Sequence, residues 1–401
     1  MFEKLSHLPP DPLLGLISKY NADENPQKVD LGVGVYRDAH GNTPVLRAVK
    51  AAEDILLRRE NSKVYVGPAG NLAYNRLVAE LLLGMEHPVW EQGRVISLQT
   101  PGGCGALRVG AELLKRADPG RAIWVSDPTW ANHVPLLGQV GLELKTYPYY
   151  NFDTHAVDFR AMIEGLQQAS AGDVVLLHAC CHNPSGADLS REQWVQIVDL
   201  CLERQLLPLI DSAYQGFGDD LEGDAFGPRL AAQKLPEVVM CLSCSKNFGL
   251  YRERVGAVVL VARNKTEAEA AMTHLASITR ALYSMPPSHG ASVVAEILQS
   301  EVLRDQWLRE LTAMSRRLRE LRDELAGRMR ELIGVDSGGH SRFDFIRHEK
   351  GMFSFLGITE QQVSRLALEF SIYMAASSRI CLAGLNPHNI EYFSSALASI
   401  L

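Results

Sequence analysis

From Arg94 to Val261, short and almost uninterrupted apolar runs alternate with helix-like stretches, and this alternation restricts the fold more than any other feature. The runs are Val95–Leu98, Ala122–Ser126, Val174–His178, Leu206–Ile210, Val238–Leu242 and Gly256–Val261. Strands that are apolar along their whole length are covered on both faces, as in a mostly parallel sheet wrapped by helices. An α/β architecture follows. Ligands of such sheets bind beyond the carboxyl ends of the strands. The residues after each run are therefore the candidates for chemistry.

Further along, Leu303, Trp307, Leu311, Met314, Leu318, Leu321, Leu325, Met329 and Leu332 recur at steps of three and four. This spacing predicts one long helix over Glu301–Ile333 with a single apolar stripe. It reads as an arm between two lobes, with a coiled-coil dimer as the alternative. Gly334 to Leu401 reads as a small α/β lobe ending in a helix. A chain of 401 residues has room for two domains.

The formal net charge of −7 and the lack of a Lys/Arg-rich block argue against a nucleic-acid or anionic-membrane partner. No apolar signal core opens the chain and no long uncharged run follows, so the cytoplasm is the expected location. Seven cysteines without paired spacing suit a reducing compartment. Cys180 and Cys181, flanked by His178 and His182, invite a metal reading. Neighbours on a strand point to opposite faces, however, and no Cys-x-x-Cys accompanies them, so a buried strand end is expected and no metal.

The strand ends carry an ordered set of polar groups. After the first run, Pro101, Gly102, Gly103, Cys104 and Gly105 form a glycine turn opening a helix, whose free amides attract phosphate. The next run ends near Trp130, a flat ring for stacking. Asn183, before Pro184, can hydrogen-bond a ring oxygen. Asp211 can hold a protonated pyridine nitrogen, and Tyr214 can reach the same ring oxygen. The run Val238–Leu242 leads to Ser243, Ser245 and Lys246, with Arg254 shortly after. Lys246 can form an imine with an aldehyde, while Ser243, Ser245 and Arg254 offer donors to a phosphate. Each piece alone also fits a bland turn, cap or core residue. Phosphate turn, stacking ring, oxygen donor, pyridinium partner and imine lysine together describe a pyridoxal phosphate site.

These residues resemble class I aminotransferases of the aspartate/aromatic branch, within pyridoxal phosphate fold type I. The likeness runs from Asp11, Pro12 and Gly15 through Leu31–Tyr36, Pro101–Gly103, Cys181–Gly186 and Ser245–Tyr251 to Ser378, Arg379 and Ile380. The resemblance implies a mostly parallel seven-stranded sheet in a large domain, residues 44–313. It also implies a small domain of residues 11–43 and 314–401, and an N-terminal arm of residues 1–10. It makes Lys246 the Schiff-base lysine, with Asp211 on the pyridine nitrogen and Tyr214 and Asn183 on the phenolic oxygen. Trp130 stacks on the ring, and Gly103, Cys104, Ser243, Ser245 and Arg254 surround the phosphate. Tyr65 reaches the phosphate across a homodimer interface. Arg379 clamps the substrate α-carboxylate, Arg280 of the second subunit meets a second carboxylate, and Gly34, Trp130 and Asn183 line the substrate.

The implied reaction is ping-pong transamination of aspartate or glutamate, and of aromatic amino acids, with 2-oxoglutarate or oxaloacetate. Aromatic transamination as the main role is the alternative. Cys104 stands where the family usually has a threonine or serine, and a thiol is a weak donor. Val64 and Met285 stand where dicarboxylate-specific relatives tend to have asparagines, which makes that end of the pocket greasier. A lyase on the same fold is a rival, as is a cofactor-binding regulator. A dehydrogenase is disfavoured because the glycine turn lacks the full Gly-x-Gly-x-x-Gly spacing.

Overall fold

The computed structural model describes residues 2–7 and 12–401, with the side chains of 12–14 left aside. The expected arm over residues 1–10 lies partly outside the described residues, and Asp11 of the first motif lies wholly outside them. The chain divides into two compact units, residues 44–317 and residues 1–43 with 318–401. Among the described residues no helix is long and apolar enough to cross a membrane.

The larger unit is built on a seven-stranded sheet. Its strands are β1 (Val95–Pro101), β2 (Ala122–Asp127), β3 (Glu143–Pro148), β4 (Val174–His178), β5 (Leu207–Ser212), β6 (Val238–Ser243) and β7 (Val255–Val261). Across the sheet the order is β1-β7-β6-β5-β4-β2-β3. Strand β7 runs antiparallel to both neighbours, and the other pairings are parallel. All apolar runs read from the sequence are strands. The one strand outside those runs is β3, at the sheet edge, where Glu143, Leu144, Lys145 and Thr146 are at least partly exposed. These positions are polar or half-buried, so the strand shows no apolar block.

Helix α1 (Gly102–Ala117) follows β1 and buries Ala106, Leu107, Val109, Gly110, Leu113 and Leu114. These join Leu98, Ile123, Val174, Leu176, Leu209, Val239 and Val258 in the core under the sheet. Gly110 packs closely there, since a Cβ would come within 3.3 Å of Val239 Cγ1 and 3.5 Å of Cys241 Sγ. Helix α2 (Lys265–Leu282) starts from an Asn264 cap that accepts from Glu267 N.

Helix α3 spans Glu301–Ile333, the bounds read from its periodicity. Leu303, Trp307, Leu311, Met314, Leu318, Leu321, Leu325 and Met329 are buried, while Leu332 is half exposed. Leu332 therefore drops out of the expected stripe, since the last turn of the helix is exposed there.

In the smaller unit, Leu321, Leu325 and Met329 pack with Phe343, Ile346, Leu366, Ile380 and Phe393. The chain ends in a helix, Ile390–Ile400. Arg322 is 2% exposed inside this unit. Its guanidinium donates to the carbonyls of Ile346 (3.0 Å), Lys350 (3.1 Å), Gly351 (3.0 Å) and Phe353 (2.6 Å) and to Ser354 Oγ (2.8 Å). Glu349 lies 3.4 Å away, so the buried charge is both paired and hydrogen-bonded.

Candidate active site

The strand ends of the larger unit gather the expected polar groups. Asp211 is the penultimate residue of β5, in register with His178 on β4 and Cys241 on β6. Its carboxylate Oδ2 lies 3.1 Å from His133 Nε2, and His133 Nδ1 lies 2.8 Å from Thr129 Oγ1. Donor atoms of His133, His178 and Asp211 all fall within 4.8 Å of one another. Burial works to raise the Asp211 carboxyl. The His133 hydrogen bond, followed by the charges of His133 and Lys246, outweighs it, and the group sits below its ordinary value. Asp211 is therefore an anion at neutral pH.

His178 faces the opposite pull. Burial first, and then the His133 charge, depress it to about 3, so it is neutral. Both of its ring nitrogens are buried without a partner. His182, also pushed well down by burial, is held between Ser126 Oγ (3.0 Å) and Ser185 Oγ (2.8 Å) and stacks on Tyr149 at 4.1 Å.

Lys246 lies in the turn after β6, where Gly249 N donates to the Lys246 carbonyl at 3.0 Å. Its Nζ sits 4.8 Å from the centroid of the Tyr214 ring. Tyr214 is buried, and Asn183 Nδ2 reaches its hydroxyl only at 3.5 Å. That long contact leaves the amide able to serve a ring oxygen. Trp130 is half-buried, edge-on to His133 with ring centroids 5.2 Å apart.

The phosphate end is equally tight. Helix α1 opens at Gly102 with no side-chain cap, which leaves its first amides to a ligand. Gly102 has φ of +72°, and a Cβ there would sit 2.4 Å from an Arg254 guanidinium nitrogen. A Cβ at Gly103 would come 3.1 Å from Ser243 Cβ. Arg254 Nη1 donates to Ser245 Oγ at 3.4 Å, and Ser243 Oγ donates to the same oxygen at 3.1 Å. Cys104 Sγ accepts from Asn132 Nδ2 at 3.7 Å. A guanidinium, two hydroxyls and a bare helix start make a dianion site.

These groups fit pyridoxal 5′-phosphate. A buried anion suits a ring nitrogen that must stay protonated, an underused amide and a phenol suit its ring oxygen, and an amine stands over that phenol. The glycine cradle has the donors for the phosphate. His133 was not among the expected residues. Nothing in linear sequence ties it to a carboxylate 78 positions away.

The other expected residues lie in different settings. Tyr65 is 88% exposed and, with Val64 and Met285, lines a cavity of about 840 Å³ in the larger unit. Arg280 is exposed near the end of α2 and bonds Ser284 Oγ of its own chain. In the smaller unit, buried Arg379 donates to the Gly32 carbonyl at 2.7 Å and lies 4.5 Å from the Phe353 ring centroid. A Cβ at Gly34 would come 2.7 Å from the same ring.

The family model described as aminotransferase class I and II matches residues 26–397. The chain belongs to that family. It is 45% identical to the aromatic-amino-acid aminotransferase of Pseudomonas aeruginosa, over 100% of this chain and 98% of that protein. It is also 45% identical to the aspartate aminotransferase of Escherichia coli, over the full length of both. The solved aromatic-amino-acid aminotransferase from Burkholderia pseudomallei, covalently bound to pyridoxal phosphate, superposes with a TM-score of 0.97 at 42% identity. That match covers 100% of this chain and 99% of that one. Class I and II aminotransferases with substrates as different as aspartate and aromatic amino acids thus stand equally near this aminotransferase.

Proposed function

We propose that this aminotransferase uses pyridoxal 5′-phosphate to move amino groups between aspartate, glutamate or aromatic amino acids and 2-oxo acids, in two half-reactions on one site. When bound, the cofactor supplies an electron sink for the carbanion left by loss of the substrate α-proton. Asp211 keeps the ring nitrogen protonated through a charge-assisted hydrogen bond, and His133 holds the carboxylate in place and ionised. Lys246 Nζ would anchor the cofactor covalently and would accept and return the substrate α-proton. Tyr214 and Asn183 orient the ring by its oxygen, and Trp130 covers its face. Gly103, Cys104, Ser243, Ser245 and Arg254 hold the phosphate. Residues 44–317 then form the cofactor-binding domain. The resemblance assigns Arg379 to the substrate α-carboxylate.

The observation that carries this reading is Asp211, a fully buried carboxylate held ionised within the field of the Lys246 amine. Borohydride reduction of the holoenzyme followed by peptide mapping tests it. The expected label is on Lys246 alone. A label elsewhere, or a colourless protein that takes up no cofactor, overturns the assignment.

The exposed side chains Val64, Tyr65, Val66 and Leu72 around the 840 Å³ cavity support a homodimer in which Tyr65 and Arg280 serve the second subunit. Val64 and Met285 beside Tyr65 make that end apolar, which favours aromatic substrates alongside dicarboxylates. Seven free cysteines support a cytoplasmic setting.

A further inference from the structure

Adjacent residues in an extended strand send their side chains to opposite faces, which is why Cys180 and Cys181 gave no reason to expect a metal. The structure corrects that premise. Strand β4 ends at His178, before the pair, and Cys181 adopts φ of +51°. This left-handed conformation is unfavourable for a side chain with a Cβ, and it turns the second thiol towards the first. Both cysteines are buried, and their sulfurs lie within 4.8 Å of each other and of a carboxylate oxygen of buried Asp224.

The carboxylate is held firmly. Asp224 Oδ2 accepts from Gly216 N at 2.8 Å and Gly218 N at 2.9 Å, and Oδ1 accepts from Asp219 N at 2.9 Å. Each carboxylate oxygen has more than one lone pair, so these bonds position Asp224 without exhausting it. On the other side, Asp188 accepts from Cys181 N at 2.7 Å and from His182 N at 2.8 Å, which fixes the backbone that carries the second thiol. The Asp224 carboxylate and the backbone of Cys181 are thus held by neighbouring groups, and the two thiols already meet in a side-chain hydrogen bond.

We infer that Cys180, Cys181 and Asp224 form a site for a thiophilic divalent metal ion of the zinc class, separate from the cofactor site. Tetrahedral zinc has Zn–S of about 2.3 Å and Zn–O of about 2.0–2.2 Å, which sets its ligand atoms about 3.5–3.8 Å apart. Atoms already within 4.8 Å of one another reach that spacing by small rotations. The reaction is an exchange without redox, in which one divalent ion enters, two sulfur–metal bonds form and two thiol protons leave. Two positive charges replace two positive charges, so the buried charge beside Asp224 does not change. A monovalent or trivalent ion would change it. The fourth position is left to water. Cys181 lies two residues before Asn183, so an occupied site would stiffen the segment that carries that amide.

Cadmium, the spectroscopic stand-in for zinc, tests the inference on the holoenzyme with Cys104, the one partly exposed thiol, replaced by serine. Titration of C104S with Cd2+ is expected to give an ultraviolet thiolate-to-cadmium band that saturates at one ion per chain. Two protons per ion should appear in a pH-stat, and the thermal midpoint should rise with free Cd2+ or Zn2+. The band should be lost in C104S with Cys180→Ala and in C104S with Cys181→Ala. Absence of a thiolate band, binding without proton release, or a band that persists in both variants overturns the site. The proton count needs no variant at either cysteine, so a folding defect in those variants leaves the test intact.

Discussion

The Trp307 indole lies flat on Phe248, ring centroids 4.4 Å apart and planes 4° from parallel, while its Nε1 donates to the Asn247 carbonyl at 2.7 Å. Both contacts fall on the two residues directly after Lys246. A buried side chain of α3 therefore grips the turn that presents the reactive amine.

Replacing Trp307 by phenylalanine keeps the stack but removes the donor to Asn247. The variant should lose about 1–3 kcal/mol, the cost of an unsatisfied buried carbonyl. Trp307→Ala should lose about 3–5 kcal/mol. Chemical unfolding gives both numbers. Faster cofactor release in Trp307→Phe would show that the grip reaches Lys246, and an unchanged unfolding midpoint in both variants would disprove it.

Stability should fall in mild acid because of His178. Its folded value of about 3 lies below its ordinary one, so the unfolded chain takes up a proton that the folded chain refuses. The contribution is complete above about pH 6.5 and declines as pH falls towards 3, by about 1.4 kcal/mol per pH unit. His178→Gln cannot titrate and should flatten that slope. Unfolding midpoints of the two proteins between pH 4 and about pH 7 check it, and parallel curves would exclude His178 as the cause.

Asp211→Asn should fold normally and turn over slowly. Loss of one charge-assisted hydrogen bond, worth about 1.5–3 kcal/mol, predicts a fall in kcat of about 10–150-fold. Single-turnover rates with aspartate measure it. A near-wild-type rate would remove Asp211 from the mechanism.

Cys104→Ser should bind the cofactor more tightly. A thiol is a weak donor, and a hydroxyl in its place adds about 0.5–1.5 kcal/mol, or about 2–13-fold in Kd. Equilibrium titration of the apoenzyme with pyridoxal phosphate reads this directly. Equal affinities would place Cys104 outside the phosphate shell.

Arg280→Ala should lower kcat/KM for aspartate while sparing tyrosine, because only aspartate presents a second carboxylate for a bidentate pair. With about 3–5 kcal/mol at stake for a desolvated pair, the ratio should move by at least about 100-fold. Arg280 bonds Ser284 on its own chain, which gives it a resting partner when an aromatic side chain is bound. An unchanged ratio would rule it out as selector.

Sequence and structure agree where burial leaves a pattern. The apolar runs are strands and α3 has the bounds its spacing implies, since both elements are read from which faces avoid water. Strand β3 escaped notice because an edge strand with polar, exposed residues has no such signature. The apolar stripe of α3 says nothing of Arg322, and only the carbonyls of a later loop show why it is buried. His133 and Asp211 were equally illegible as a pair, because His133 opens a short helix after β2 and only the fold brings it to the end of β5. At Cys180 and Cys181 only the expectation of a strand end fails. Alternation holds only within a strand, and Cys181 lies three residues past the end of β4 with a φ that breaks it.

The cradle at Gly102 and Gly103 is closed by Ser243 and Arg254, and the antiparallel strand β7 wedges between the strands that carry its two halves. Gly256, at the wedge, pairs with Thr100 on one side and Ser243 on the other, and a Cβ there would strike the Gly102 backbone at 2.5 Å. A chain cut before Val261 therefore lacks the strand that joins the two halves of the cradle, and such fragments are not expected to hold the coenzyme.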